Sequence, residues 1–158
     1  LPPIVGLIYL GGWTAFSPET LLTSLLPWYL YGLAVAWQTA HIMVYYPLHV
    51  IPPAAGEPDI KRQPAFFFVP SPQTAVNIGL GFTIVTLLLS VLLYFIARLS
   101  PLYLVLVVAG GIYATINALR LQKDARNRVR GLKAFGSLSI FRLVISGSIL
   151  LAVFLAQI

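Results

Sequence analysis

The chain reads as a series of long apolar runs separated by short polar punctuation. Leu1 to about Phe16 is apolar and glycine-rich, too short to span a bilayer alone, and reads as the end of a helix. Ser17-Pro18-Glu19 then has the form of a helix start, with a serine cap, proline at the first helical position and an acid in the first turn. A helix is expected from about Glu19 to Tyr46, ending at Pro47. Residues 48–73 are polar and proline-rich, a connection long enough to carry function. Thr74 to Ala97 is a further span. Ser100-Pro101 repeats the cap-then-proline start of another, which runs to about Leu119. A basic connector from Arg120 to Lys133, within a loop over 120–135, leads to a last span from Leu138 to Gln157. The pattern predicts an all-α, multi-pass transmembrane bundle with about four full spans and a partial first helix.

Composition supports lipid as the solvent. Only 9% of the 158 residues are charged, against 59% hydrophobic, and the mean hydropathy is +0.90. A soluble domain carries about 25% charged residues. The runs lack the alternation of a membrane barrel, which leaves helices to satisfy the backbone in lipid. With no cysteine in the chain, disulfides, thiolate metal sites and thiol catalysis are excluded. No basic segment and cleavage site precede the first run, so it does not read as a signal peptide. Leu1 is expected to lie inside a longer gene product.

Charge then sets the expected orientation. Lys61 and Arg62 lie in the 48–73 loop, and Arg120, Lys123, Arg126, Arg128, Arg130 and Lys133 in the connector, eight of the ten basic residues. Alternating spans place both loops on one side, which the positive-inside rule makes the cytoplasm. Arg98 stands in a turn, and Arg142 is expected to snorkel from near the start of the last helix. Between two spans, the connector reads as facing anionic headgroups and not nucleic acid.

Two features could carry chemistry. Tyr31, Ala34, Gln38, His41 and Tyr45 recur at steps of three and four, so they share a face of the second helix, with Trp37 beside them. At membrane depth such groups face a bundle interior or a wet cavity. A substrate cavity lined by Gln38, His41 and Tyr45 and an interfacial aromatic belt both satisfy this pattern. The second feature, Glu57-Pro58-Asp59-Ile60-Lys61-Arg62, puts two acids and two bases near the mouth of that stripe. Carboxylates can hold Mg²⁺, and the cations can hold a diphosphate. As a solvated loop the same residues carry ordinary charges.

Trp37-Gln38-Thr39-Ala40-His41 resembles the tryptophan-glutamine-x-proline-histidine motif of haem O synthases (protohaem IX farnesyltransferases), a branch of the UbiA-type membrane prenyltransferases. Leu1-Pro2-Pro3-Ile4-Val5-Gly6 is similar to the family's proline-proline-x-x-glycine segment, and Ser17-Pro18-Glu19 falls at its short external turn. Glu57, Asp59, Lys61, Arg62 and Val69-Pro70 occupy the acidic-basic stretch and following proline. Ala134-Phe135 and Ser139-Ile140-Phe141 resemble the start of its last helix. The likeness covers residues 1–158 as the C-terminal half of such an enzyme. It departs at Ala40, where the family has proline, in the longer loop, and in the lack of a second aspartate four residues from Asp59.

The resemblance implies farnesyl transfer from farnesyl diphosphate to a vinyl group of haem b. Asp59 and Glu57 would hold Mg²⁺, and Lys61 and Arg62 would contact diphosphate. Gln38 and His41 would line the porphyrin side, with Trp37 as a wall and Tyr45 alongside. A sibling enzyme acting on an aromatic or quinone precursor, and a non-enzymatic helical membrane subunit, are the alternatives. The family's first acidic motif would lie in an N-terminal half. The isolated 158-residue polypeptide is therefore expected to make no haem O from farnesyl diphosphate, haem b and Mg²⁺, as read by mass spectrometry of extracted porphyrins.

Overall fold

A computed structural model describes residues 2–50, 69 and 71–155. Among these residues the structure is all-helical: α1 Pro2–Phe16, a 3₁₀ turn Pro18–Thr20, α2 Leu25–Val50, α3 Pro72–Ile96, α4 Pro101–Gln122 and α5 Arg128–Leu155. Each of α2, α3 and α4 packs on the helix that follows it. α5 returns to α2, so these four helices close a ring, with α1 laid against α2 outside it.

The helix bounds differ from the sequence expectation in instructive ways. Ser17 makes no side-chain cap, and Pro18–Thr20 forms only a 3₁₀ turn. The effective cap is Ser24, whose Oγ accepts from Leu26 N at 3.3 Å, so α2 starts at Leu25 rather than Glu19. Thr20 is otherwise engaged, because its Oγ1 accepts from Trp13 Nε1 at 2.9 Å and donates to Ser17 O at 3.0 Å. At the other end α2 continues past Pro47 to Val50. Proline removes one backbone donor but allows the turn to go on when packing holds it, and Leu48 is buried there against Gly131. The basic connector is mostly helical: α4 runs to Gln122, α5 begins at Arg128, and only a short turn joins them. Ser71 caps α3 as an N-cap serine should, accepting from Thr74 N at 3.1 Å.

Among the described residues, three helices are long and apolar enough to cross a membrane: α3, α4 and the Arg128–Leu151 part of α5. Their length and composition are those of a membrane protein. α2 has the length, at 26 residues, but its tryptophans, tyrosines, Gln38 and His41 dilute its apolar character. α1, at 15 residues, is too short. The outer faces carry large exposed apolar side chains, among them Leu88, Phe95, Val105, Leu143 and Leu150, as expected where the neighbour is lipid.

Inside the ring, polar groups are satisfied locally, as a low-dielectric interior demands. Thr83 Oγ1 and Ser90 Oγ each donate to the carbonyl four residues back, at 2.7 Å. Tyr103 OH reaches Ser90 O at 2.9 Å and Tyr29 OH reaches Leu89 O at 2.6 Å, tying α4 and α2 to α3. Gly79, Gly111 and Gly131 let backbones approach, and Phe141 fills the space beside Gly110 and Gly111. The α3–α4 turn ends α3 with Leu99 N donating to Tyr94 O at 3.1 Å. That closure holds Arg98 at φ 49°, a conformation usually left to glycine.

The ends of both basic loops meet at one end of the bundle. Gln73 Nε2 donates to Gln122 O at 3.0 Å, and Pro47 and Leu48 line a crevice with Ala125 and Arg126. A Cβ at Gly79 would meet Val44 Cγ2 at 2.9 Å and the Val44 backbone nitrogen at 3.2 Å, and backbone cannot swing aside. Gly79→Leu should therefore push α2 and α3 apart and cost about 1–3 kcal/mol, seen as a lower midpoint in detergent-monitored thermal unfolding. Gly81→Leu, at a position with nothing within 4 Å, should change it little.

Candidate functional site

The site is built where α2 and α5 close the ring. On α2, Trp37, His41, Tyr45 and His49 follow at steps of four, a spacing that stacks them along one side of the helix. On α5, Phe135, Ser139 and Arg142 follow at steps of four and three and form the opposing side. Trp37 is buried, and its indole Nε1 donates to Leu138 O at 3.0 Å across the interface. A helix carbonyl has a second lone pair, so Leu138 O can accept this bond and its intrahelical one together.

Around that link the rings interlock. His41 lies between Trp37, at 4.7 Å between centroids, and Phe135, at 4.1 Å. Tyr45 tilts over Phe135 at 4.7 Å and meets His49 edge-on at 4.2 Å. Ser139 Oγ sits 3.4 Å from His41 Nε2 and 3.2 Å from Phe135 O. The hydroxyl has one proton. If it goes to the Phe135 carbonyl, His41 must donate from Nε2, which leaves Nδ1 with its lone pair free to accept a proton.

Arg142 joins the cluster from α5. Its Cζ lies 4.6 Å from the Trp37 ring centroid, within cation–π range. The expected position of Arg142 near the start of the last helix is corrected here. Because α5 begins at Arg128, Arg142 stands about four turns into the helix, some 20 Å from its first residue. Arg142 is exposed and forms no ion pair among the described residues.

Beside Trp37 and Arg142 runs a narrow cavity of about 40 Å³, with α2 as its floor, Tyr9 of α1 on one side and α5 on the other. It has room for a few water molecules. Ala34 of the expected stripe lines it. His41 and Tyr45 do not; they are spent on the ring cluster next to it. Gln38 is half-buried and makes no hydrogen bond among the described residues. Glu57, Asp59, Lys61 and Arg62 lie outside the described residues.

Among the described residues no group of three or more histidine, cysteine, aspartate or glutamate side chains could hold a metal ion. The two described acids are spent at separate turns, Glu19 beside α1 and Asp124 between α4 and α5, where its Oδ2 accepts from Asn127 Nδ2 at 3.3 Å. The described part of the chain therefore does not fit Mg²⁺ on its own.

Sequence reasoning found the α2 side of this site and missed the α5 side. Phe135, Ser139 and Arg142 share a face by their spacing, and an arginine inside an apolar run is itself a signal. Their partners on α2 could not be read from periodicity. His49 was also missed; it continues the stripe, and its buried Nδ1 has no partner among the described residues.

No protein-family model, curated protein or solved structure matches this chain.

Replacing Trp37 with phenylalanine keeps an aromatic wall but removes the donor to Leu138 O. Trp37→Phe should cost about 1 kcal/mol, measured as a lowered unfolding midpoint. Trp28→Phe is the control, since Trp28 Nε1 bonds Leu21 O at an exposed helix end and should cost less.

Proposed function

We propose that this chain is the acceptor-binding part of a membrane prenyltransferase, with farnesylation of haem b as its reaction. One observation carries the reading. Two of the stretches that resemble haem O synthases, Trp37–His41 and the start of the last helix with Ala134-Phe135 and Ser139-Ile140-Phe141, are remote in sequence yet pack on each other through the Trp37–Leu138 hydrogen bond and the His41–Phe135 ring contact.

The chemistry suits that cluster. In prenyl transfer the allylic C–O bond breaks, the electron pair leaves with diphosphate, and an allylic cation remains. Trp37, Tyr45 and Phe135 present π-electron density that stabilises such a cation without competing for it as nucleophiles in bulk water would. The acceptor's vinyl π electrons form the new C–C bond, and water that captures the resulting carbocation must give up a proton. His41, with Nε2 engaged by Ser139, would accept it at Nδ1.

Mg²⁺, with Glu57 and Asp59 as ligands and Lys61 and Arg62 on diphosphate, belongs to this proposal on the sequence resemblance alone. So does the N-terminal half bearing the first acidic motif, whereas placement in the cell's inner membrane with both basic loops cytoplasmic is proposed from the distribution of lysine and arginine.

The test uses the full-length gene product containing this chain, in proteoliposomes with farnesyl diphosphate, haem b and Mg²⁺. Haem O should form, and His41→Ala should reduce it by about 10²-fold or more while the protein stays folded. Prenylation of an aromatic precursor that survives His41→Ala would assign the sibling reaction instead. No prenylated product from either acceptor would defeat the enzymatic reading.

A further inference from the structure

The fold gathers the basic connector into a cluster that the order of the chain does not show. Arg120 and Lys123 stand three residues apart at the end of α4, and Arg130 and Lys133 three apart in the first turns of α5, so each pair shares one side of its helix. Arg130 Nη1 donates to Arg120 O at 3.3 Å, which sets the two pairs side by side. We propose that this cluster is a docking surface for the headgroup of an anionic phospholipid.

The charge balance calls for an anion. All four cations are exposed, and none has an ion pair among the described residues. Arg126 and Arg128 join them at the same end, where the only described acid is Asp124. One carboxylate does not offset six cations, so like charges repel across the cluster until an anion enters it. Guanidiniums with forked donors beside mobile ammoniums suit the oxygens of a phosphate.

Two further observations select a lipid phosphate over a dissolved one. Leu119, Val129 and Leu132 each adjoin one of these cations in the chain and are exposed, at 41%, 58% and 48%. Aliphatic side chains alternating with cations on the same turns suit the boundary between acyl chains and headgroups, not open water. At this end, too, the amides of Gln73, Asn77 and Gln122 bond one another and the Gln122 carbonyl, polar groups that belong outside the apolar layer. The surface stands on the α4–α5 geometry alone, whatever reaction the protein runs.

The full-length gene product in uncharged detergent would be titrated with phosphatidylglycerol and with phosphatidylcholine of the same acyl chains, and bound lipid counted by native mass spectrometry. Phosphatidylglycerol should bind with roughly tenfold or more higher affinity. Arg120→Gln with Arg130→Gln should remove most of that preference, and Arg120→Lys with Arg130→Lys should keep most of it. Arg98→Gln, which removes an exposed cation from the turn between α3 and α4, should leave it unchanged. Equal affinity for the two lipids would overturn the proposal, as would a preference that survives the double glutamine variant or falls as far in Arg98→Gln. Displacement of phosphatidylglycerol by inorganic phosphate at constant ionic strength would assign the cluster to a soluble ligand and overturn it too. If the double glutamine variant does not fold, Lys123→Gln with Lys133→Gln takes its place and should also lower the preference.

Discussion

The hydrogen bond from Trp37 Nε1 to Leu138 O closes the ring of helices. In lipid there is little hydrophobic gain from bringing two apolar helices together, so association relies on close packing and on polar links that have nowhere else to go. A buried indole N–H is such a link: left unpaired in a dry interior, it would forfeit the whole cost of its desolvation. Once it is made, α5 lies against α2 and the remaining contacts between them follow by register. Phe135 comes to His41 and Tyr45, Ser139 to the His41 imidazole, and Arg142 to the Trp37 ring.

The bundle around this closure rests on complementary sizes. Glycines on α3, α4 and α5 admit Val44, Leu87 and Leu48, while Tyr103 and Phe141 fill the centre. Hydroxyls on α3 bond back to their own helix, so the interior tolerates Thr83, Thr86 and Ser90 without orphaned donors. At the end away from the basic loops, Trp13 and Trp28 bond to the segment joining α1 and α2. That is where an interfacial aromatic belt belongs, and it separates their role from that of Trp37.

A division of labour follows from the geometry of α2. Its side toward α3 is small and apolar and builds the core, through Ala36, Ala40, Met43 and Val44. Its side toward α5 carries the rings. The strip between α1 and α5 is left as the floor of a groove, and there Trp37 serves two neighbours, His41 along the helix and Arg142 across it. The histidine cluster and Arg142 are thus neighbours joined through one indole.

Much of this protein is written in its sequence. Apolar run length and scarce charge specify helices and lipid, because backbone polar groups cannot remain unpaired there. Proline after serine marks the starts of α3 and α4, and steps of three and four put His41 and Tyr45 on one side of α2. Helix ends were less legible: Ser24 competes with Ser17 as a cap, and Leu48 packing on Gly131 carries α2 past Pro47, a tertiary effect that overrides a local rule. The clearest case is Arg142. Its identity and its apolar neighbours are local facts, but the indole from another helix that it packs on reaches it only once α2 and α5 meet. Periodicity specifies which side chains share a face; only packing decides which faces see each other, since that depends on shape and on donors and acceptors far apart in the chain.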